Sequence, residues 1–496
     1  MKLREISWVL VATLALCGSA ASAQDQKQDA PPADISSPIQ PIGASQSGNN
    51  PNRPIGAATG VGGPYDTYDP SQVSPDKNTL AGAEPFTVGS LGSPRNIFDP
   101  SISASLQGQT FPGTNGQTFL IAQSIIGGGL NYIHTWGRYR TTTLYNGGEM
   151  FISCNCQAAQ VLGLTSTHFQ YHDASFTQEA DWARWHLLLR DDFVDSAGAA
   201  FTGQGMGGPG LIAQSSSTLG APLNSSSQAF LPGETINTAY TMRYMNAVLG
   251  QAEYSISRKS VLTFSGSYGV LHFFDPGYFS STMVNGQAGY DYLIDPFNSV
   301  AILATYGKID YTGTGISMTD YGAALAYGRK ITGRLAFQVS AGPQKILSYG
   351  AGGVGNFQLL SYSANSALTY ATARSGLSLS YASGLNGGSG VLLGSTSYTM
   401  MGSANYLFSR FWTGSIFGGY AINNSLAPAG VPTVRFDNWF SGVSWGLLAG
   451  RHLRINFSYS LEKQNNPATC PVPSCGSNML QQTVGLNVNW HLRPVS

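Results

Sequence analysis

The chain is 496 residues long and only 10% of it is Asp, Glu, Lys or Arg, 25 acidic against 25 basic, for a formal net charge of +0. A typical soluble domain carries about 25% charged residues, and here the deficit is filled by Gly, Ser, Thr, Asn, Gln and Tyr rather than by aliphatic side chains. This excludes a nucleic-acid binder, which needs a basic patch, and long Glu/Lys-rich helices, while 11% aromatic content excludes disorder throughout. A neutral polar and aromatic surface near zero net charge precipitates easily in water. The composition therefore fits a chain whose outer face does not meet water.

Residues 1–23 read as a secretory leader: Lys2 and Arg4 form the basic start, Trp8 to Leu16 the apolar core, and Ala21-Ser22-Ala23 a small-x-small cleavage site before Gln24. Residues 24–100 are rich in Pro, Gly, Gln, Asn, Ser and Asp without periodicity, as expected of a disordered N-terminal extension, a low-complexity periplasmic linker or plug. No later stretch holds the roughly 18–20 apolar residues of a membrane helix.

From about residue 101 to 496 the texture is alternating. In 452–462, Leu453, Ile455, Phe457, Tyr459 and Leu461 oppose Arg454, Asn456, Ser458, Ser460 and Glu462. The same period of two runs through 260–270, 334–344 and 484–490. It predicts β-strands with one apolar and one polar face. The strands are long, in the range that crosses a bilayer at a tilt.

Short turns fall near Gly137-Arg138, Arg258-Lys259, Pro296-Phe297, Thr332-Gly333, Ala373-Arg374, Ser409-Arg410 and Gly450-Arg451. Longer Gly/Ser/Asn/Pro-rich loops lie between them, at 348–356, 385–392, 424–431 and 464–476. A repeat near this length also suits a β-propeller, but a blade must fit four strands where only two long ones fit here.

The hairpins are predicted at 124–136/138–150, 165–178/182–194, 242–256/260–273, 282–294/298–311, 318–330/334–345, 357–371/375–384, 393–408/412–423 and 435–448/452–462. With a first strand at 101–110 and a last at 479–491, the fold class is an all-β, antiparallel, up-and-down transmembrane β-barrel of 18 strands, or 16 if the earliest hairpin is misread. Either size leaves a lumen wide enough for water.

Aromatic residues cluster at the strand ends. Phe297, Phe408, Phe411, Trp412 and Trp490 read as a girdle on the short-turn side, and Phe273, Phe274, Tyr278, Phe279, Tyr311 and Trp439 as one on the long-loop side. Charges inside strands are rare. Alternation turns Arg184, His186, Arg190, Asp192, Glu253, Arg454 and Glu462 toward the lumen, where they either brace the wall as ion pairs or set pore selectivity.

The literal motif matches fail on context. Gly203–Gly208 and Gly350–Gly355 fit GxGxxG but follow no buried strand and open no helix. Gly442–Gly446 fits GxSxG, but Ser444 sits inside an alternating strand rather than on a sharp elbow. The histidines show no metal spacing, so no catalytic residue, metal or cofactor is expected. Beyond the leader stand four cysteines, Cys154, Cys156, Cys470 and Cys475, an even number suggesting disulfides in an exported chain. Cys470 and Cys475 can close a small loop, a Cys154–Cys156 bridge would be strained, and inter-loop pairing stays open.

By this architecture the sequence resembles the bacterial outer-membrane β-barrel class and the porin-like channels within it. It departs in one respect: such chains usually end on an aromatic residue, whereas Trp490 is followed by His-Leu-Arg-Pro-Val-Ser. The resemblance implies export to the outer membrane of a Gram-negative-type bacterium, with outer-membrane lipid and the barrel-assembly machinery as partners, no nucleic acid, and a homo-oligomer left open. It also implies that the third outside loop, 196–235, folds inward to narrow the pore, while the loop's Gly/Ser-rich composition reads equally as a mobile surface loop. The function expected is a passive diffusion channel for small polar solutes. The alternative is a structural or surface-interaction barrel with an occluded lumen.

Overall fold

The computed structural model describes residues 97–491, apart from the connecting segments 113–117, 154–166, 198–241, 351–355, 427–432 and 466–478 and a few turn positions. The leader, residues 24–96, the loop expected to fold inward and all four cysteines lie outside the described residues.

Eighteen strands follow in order: β1 (Ile97–Pro112), β2 (Thr118–Trp136), β3 (Tyr139–Ser153), β4 (His168–Asp181), β5 (Trp185–Ala197), β6 (Met242–Ser255), β7 (Ser260–Phe273), β8 (Ser281–Asp295) and β9 (Asn298–Tyr311). The second half comprises β10 (Ile316–Lys330), β11 (Leu335–Gly350), β12 (Phe357–Ala371), β13 (Ser375–Asn386), β14 (Ser395–Leu407), β15 (Trp412–Ser425), β16 (Arg435–Ala449), β17 (Leu453–Asn465) and β18 (Met479–His491). Each pairs antiparallel with its neighbours, and β18 returns to β1 over Ser101↔His491 through Thr110↔Gln482. The ring is closed, so no strand edge is left with unpaired backbone groups. His491 Nδ1 adds a 3.1 Å contact to Asp99 Oδ2 across the seam.

The expected strand count of 18 is observed. The first strand begins at Ile97 rather than 101, and β2 begins at Thr118 rather than 124. The β4–β5 turn falls at 182–184, a few residues later than expected. Asp181 is held in the ladder there, opposite His186. Both termini of the ring lie at the short-turn end. At the other end the loops are longer, except 113–117 and 312–315.

Side chains alternate between the two faces. Outward stand large apolar residues such as Leu120, Phe264, Ile302, Leu325, Leu360, Ile416 and Val443, all exposed. Inward stand buried Ser103, Gln107, Thr263, Ser265, Gln338, Gln344, Asn456 and Asn487. Most outward charges sit near the long-loop end as pairs, among them Glu149–His168 (3.2 Å), Lys308–Asp310 (2.8 Å) and Arg435–Asp437 (2.8 Å). Others stand elsewhere: Arg329 is outward at the short-turn end of β10, and Asp191 is outward at the middle of β5, where Asn246 donates to it at 2.8 Å.

The outward belt yields a prediction. Leu325→Arg places a guanidinium at mid-depth on the lipid side and should cost about 2–4 kcal/mol in equilibrium unfolding from vesicles. Leu325→Phe should leave stability nearly unchanged. Equal effects of the two would contradict a lipid-facing belt.

Candidate functional site

The inner wall places most of the expected charges where alternation puts them. His186 and Arg190 are inward on β5, with Asp192 following on the same face. His186 Nδ1 lies 2.6 Å from Asp181 Oδ1, and Glu253 of β6 stands opposite His186 in register. Gln251 Nε2 donates to Glu253 Oε1 at 2.6 Å, two residues along the same face. Arg190 Nε lies 2.7 and 2.9 Å from the two carboxylate oxygens of Asp192, each side chain only 13% exposed. Glu462 of β17 accepts a 2.9 Å bond from Asn438 of β16, and Arg454 is inward at the other end of β17. Arg184 is displaced from its expected place: β5 begins at Trp185, so Arg184 lies exposed in the turn rather than on the inner wall.

Sequence reading passed over several further inward charges. Asp99, Asp173, Glu179, Asp291 and Asp320 are carboxylates on this face, and Arg140 and Arg243 are guanidinium groups. They escaped notice because single charges in short alternating windows look like ordinary polar-face residues. Asp320 accepts a 2.8 Å bond from Gln344, and the Arg243 guanidinium stands 5.9 Å from the Phe273 ring centre. Among the described residues no group of three or more His, Cys, Asp or Glu is placed to hold a metal ion.

The aromatic residues divide. Phe297, Phe408, Phe411, Trp412 and Trp490 are exposed at the short-turn end, with Phe408 and Trp412 both against Trp445 (5.1 and 6.0 Å). Trp136, Tyr139, Trp182 and Trp185 join them from the early hairpins. At the long-loop end Phe274 and Trp439 are outward and exposed. Phe273 and Tyr311, expected beside them, point the other way and are buried inside the ring. The reason is parity: Phe264 and Tyr268 fix the outward positions of β7, and Phe273 stands an odd number of residues away. Tyr311 alternates in the same way from Ile302 and Tyr306 on β9. Tyr278 and Phe279, in the β7–β8 loop, also pack inward, against buried apolar residues.

These inward aromatics correct the expectation of a uniformly polar inner face. Toward the long loops the face turns apolar: Met245, Leu271 and Phe273 form one cluster, and Met283, Ile309, Tyr311, Ile316 and Met318 another. A strap lies on them. It is the segment between β13 and β14, with Val391 and Leu392 buried against Phe436 of β16 and Tyr278. Three backbone carbonyls tie it down: Gly387 accepts from Tyr311 Oη (3.1 Å), Gly390 from Phe279 N (2.8 Å) and Gly394 from Leu426 N (3.2 Å). Gly390 and Gly394 have φ of 72° and 81°, a region that disfavours any other residue. A Cβ would also drive Gly390 into the Phe273 ring and Gly394 into Met318. Each buried aliphatic side chain contributes about 1.5–3 kcal/mol, which offsets the roughly 1–2 kcal/mol per residue needed to order the backbone.

Tyr278 stacks on Phe273 at 5.0 Å and also packs with the Val391–Leu392–Phe436 cluster. One unbroken apolar contact path therefore runs from β7 to β16. Those strands are nine positions apart in a ring of 18, on opposite sides of the barrel. The mouth is bridged at the long-loop end.

Removing one half of the inner-wall pair gives a stability prediction. Arg190→Ala strands the Asp192 carboxylate and should cost about 3 kcal/mol, the low end for a broken buried pair. Arg190→Ala with Asp192→Ala should recover part of that loss, a double-mutant coupling that unfolding titrations measure directly. Additive losses would show that the two side chains do not brace each other.

No protein-family model matches the chain, and no curated protein matches it. Among solved structures it is similar to OpdQ of Pseudomonas aeruginosa (10% identity, 81% of this chain and 99% of that one, TM-score 0.40). A BenF-like porin of Pseudomonas fluorescens Pf-5 is similar at 9% identity (80% and 99% covered, TM-score 0.40), and OccAB3 of Acinetobacter baumannii at 10% (79% and 99%, TM-score 0.39).

Proposed function

We propose that the protein is a passive diffusion channel for small polar solutes across the outer membrane. The observation that carries this reading is the polar inner wall of a closed ring. Gln107 and Asn487, both inward near the β1–β18 seam, make no hydrogen bond to protein through either side-chain atom. Buried polar groups in folded proteins are paired with protein or with ordered water, so these four shielded atoms call for ordered water or a solute as partner. The outward belt takes outer-membrane lipid as its partner, and the exposed aromatic rings at both ends serve as its interfacial girdles. The barrel-assembly machinery is the expected route of insertion.

The inner wall also supports a preference for cations. Among the described residues its carboxylates, Asp99, Asp173, Glu179, Asp181, Asp192, Glu253, Asp291, Asp320 and Glu462, outnumber the guanidinium groups of Arg140, Arg190, Arg243 and Arg454. Acidic linings favour cations. A second reading, a surface-interaction barrel with an occluded lumen, is favoured by the bridge across the mouth.

Planar-bilayer recording of the refolded, heat-modifiable barrel discriminates the two. A channel gives discrete steps and, under a KCl gradient, a reversal potential on the cation side. Glu253→Gln with Asp291→Asn should lower the K⁺/Cl⁻ permeability ratio. No steps would favour the occluded barrel, and an anion-side potential would overturn the charge argument.

A further inference from the structure

We propose that the short-turn rim is a cationic collar that binds anionic, phosphate-bearing lipid headgroups of the periplasmic leaflet, the side on which outer-membrane barrels place their short turns. This rests on the lipid-facing belt and does not depend on whether the lumen conducts. The eight short connections contain no Asp or Glu, and seven of them contain Arg or Lys. The nine connections at the other end contain no Arg or Lys. Exposure to water alone does not sort cations in this way, because both ends meet water and either sign of charge is soluble there.

Among the described residues, Arg138, Arg184, Lys259 and Arg374 stand exposed in four of these connections, and Arg329 is exposed at the end of β10. The carboxylates that close adjoining strands, Asp181 and Asp295, are engaged by other groups. Asp181 lies 2.6 Å from His186 Nδ1, and Asp295 accepts from Phe297 N (2.7 Å) and Asn298 Nδ2 (2.8 Å). Toward the long loops the outward wall is balanced instead. Lys308 and Arg435 are paired with Asp310 and Asp437. Lys345 and Lys463 stand on the same outward wall as Glu149, Asp191 and Asp195.

Level and distribution identify the occupant. Trp136 and Tyr139 flank Arg138, and Trp182 and Trp185 flank Arg184, all four rings exposed. An aromatic girdle marks the interface of a bilayer, so the cations beside it are level with the phosphates. The cationic connections follow one another around the ring from β2–β3 to β16–β17, interrupted at β8–β9. A partner protein or a polymer strand touches one sector of a ring, whereas a leaflet surrounds it. Arg supplies every cation in these connections except Lys259, and its planar fork matches phosphate oxygens bidentately. Basic residues beside an anionic leaflet are drawn to it charge by charge, and salt screens the attraction.

The girdle tryptophans report the neighbouring lipid. The full chain is refolded into vesicles of phosphatidylcholine mixed with phosphatidylglycerol, one of the two lipids carrying bromine on its acyl chains. Quenching of tryptophan fluorescence by each lipid in turn gives the relative affinity of the two headgroups. The wild type should prefer phosphatidylglycerol several-fold at low salt. The preference should fall toward one in about 1 M salt, where the screening length is about 3 Å. Arg138→Gln/Arg184→Gln/Lys259→Gln/Arg374→Gln should lose most of it, and Arg138→Lys/Arg184→Lys/Lys259→Arg/Arg374→Lys should keep the greater part. Arg138→Gln/Arg184→Gln should show a smaller loss, and serves if the fourfold neutral variant lacks the heat-modifiable gel shift of a folded barrel. No preference in the wild type at low salt, or one that the neutral substitutions leave unchanged, would overturn the collar. So would charge-dependent cosedimentation with peptidoglycan in place of a lipid preference, which would assign the rim to that polymer. Quenching by neither lipid would overturn the lipid-facing belt itself.

Discussion

The structure depends on one requirement: a backbone that crosses lipid must satisfy every N–H and C=O within itself. For strands, the only complete solution is a ring. The pairing of β1 with β18 supplies it, joining residues nearly the whole described chain apart along ten Cα partners. The alternation of faces is a consequence, since a closed ring of pleated strands has one outside and one inside. The low charge is another, because neither lipid nor a narrow wall tolerates many unpaired charges.

That inside is divided along its length. Toward the short turns it is lined by Ser, Thr, Gln, Asn and partnered carboxylates such as Glu253, held by Gln251, and Asp99, held by His491. Toward the long loops the same inward parity presents Leu271, Phe273, Ile309, Tyr311 and Met318. An apolar inner surface at the mouth would be costly in water, and the β13–β14 strap covers it. The strap and the wall beneath it form one packing unit: neither buries its apolar carbon without the other. The width of the barrel is thus set by strand count.

Much of this was legible in the sequence. Period-two alternation located the strands, and the last strand, Met479–His491, falls where its pattern put it. Turn chemistry found nearly every short connection, because Gly137, Pro296, Gly333, Ser409 and Gly450 interrupt an otherwise regular alternation. The inward position of His186, Arg190, Asp192, Glu253, Arg454 and Glu462 followed from the same arithmetic. Arg184 did not, because a turn displaced by three residues moves a side chain from wall to rim. Phe273 and Tyr311 were assigned to a lipid girdle by residue type, although parity alone placed them inside. The strap was recognisable as a Gly/Ser-rich loop, but nothing local says what it touches. Its partners on β7, β9, β10 and β16 are brought to it only by closure of the ring.

The central claim is that the β13–β14 strap stands fixed across the mouth. Hydrogen exchange on the protein in lipid nanodiscs tests it most directly, at the amides of Phe279 and Leu426. Both belong to loops, and both donate to the strap, at Gly390 and Gly394. With the strap seated they should be protected to the same degree as amides in the neighbouring strands. Exchange at the rate of open loops would mean that the strap leaves the wall and that the mouth stands open.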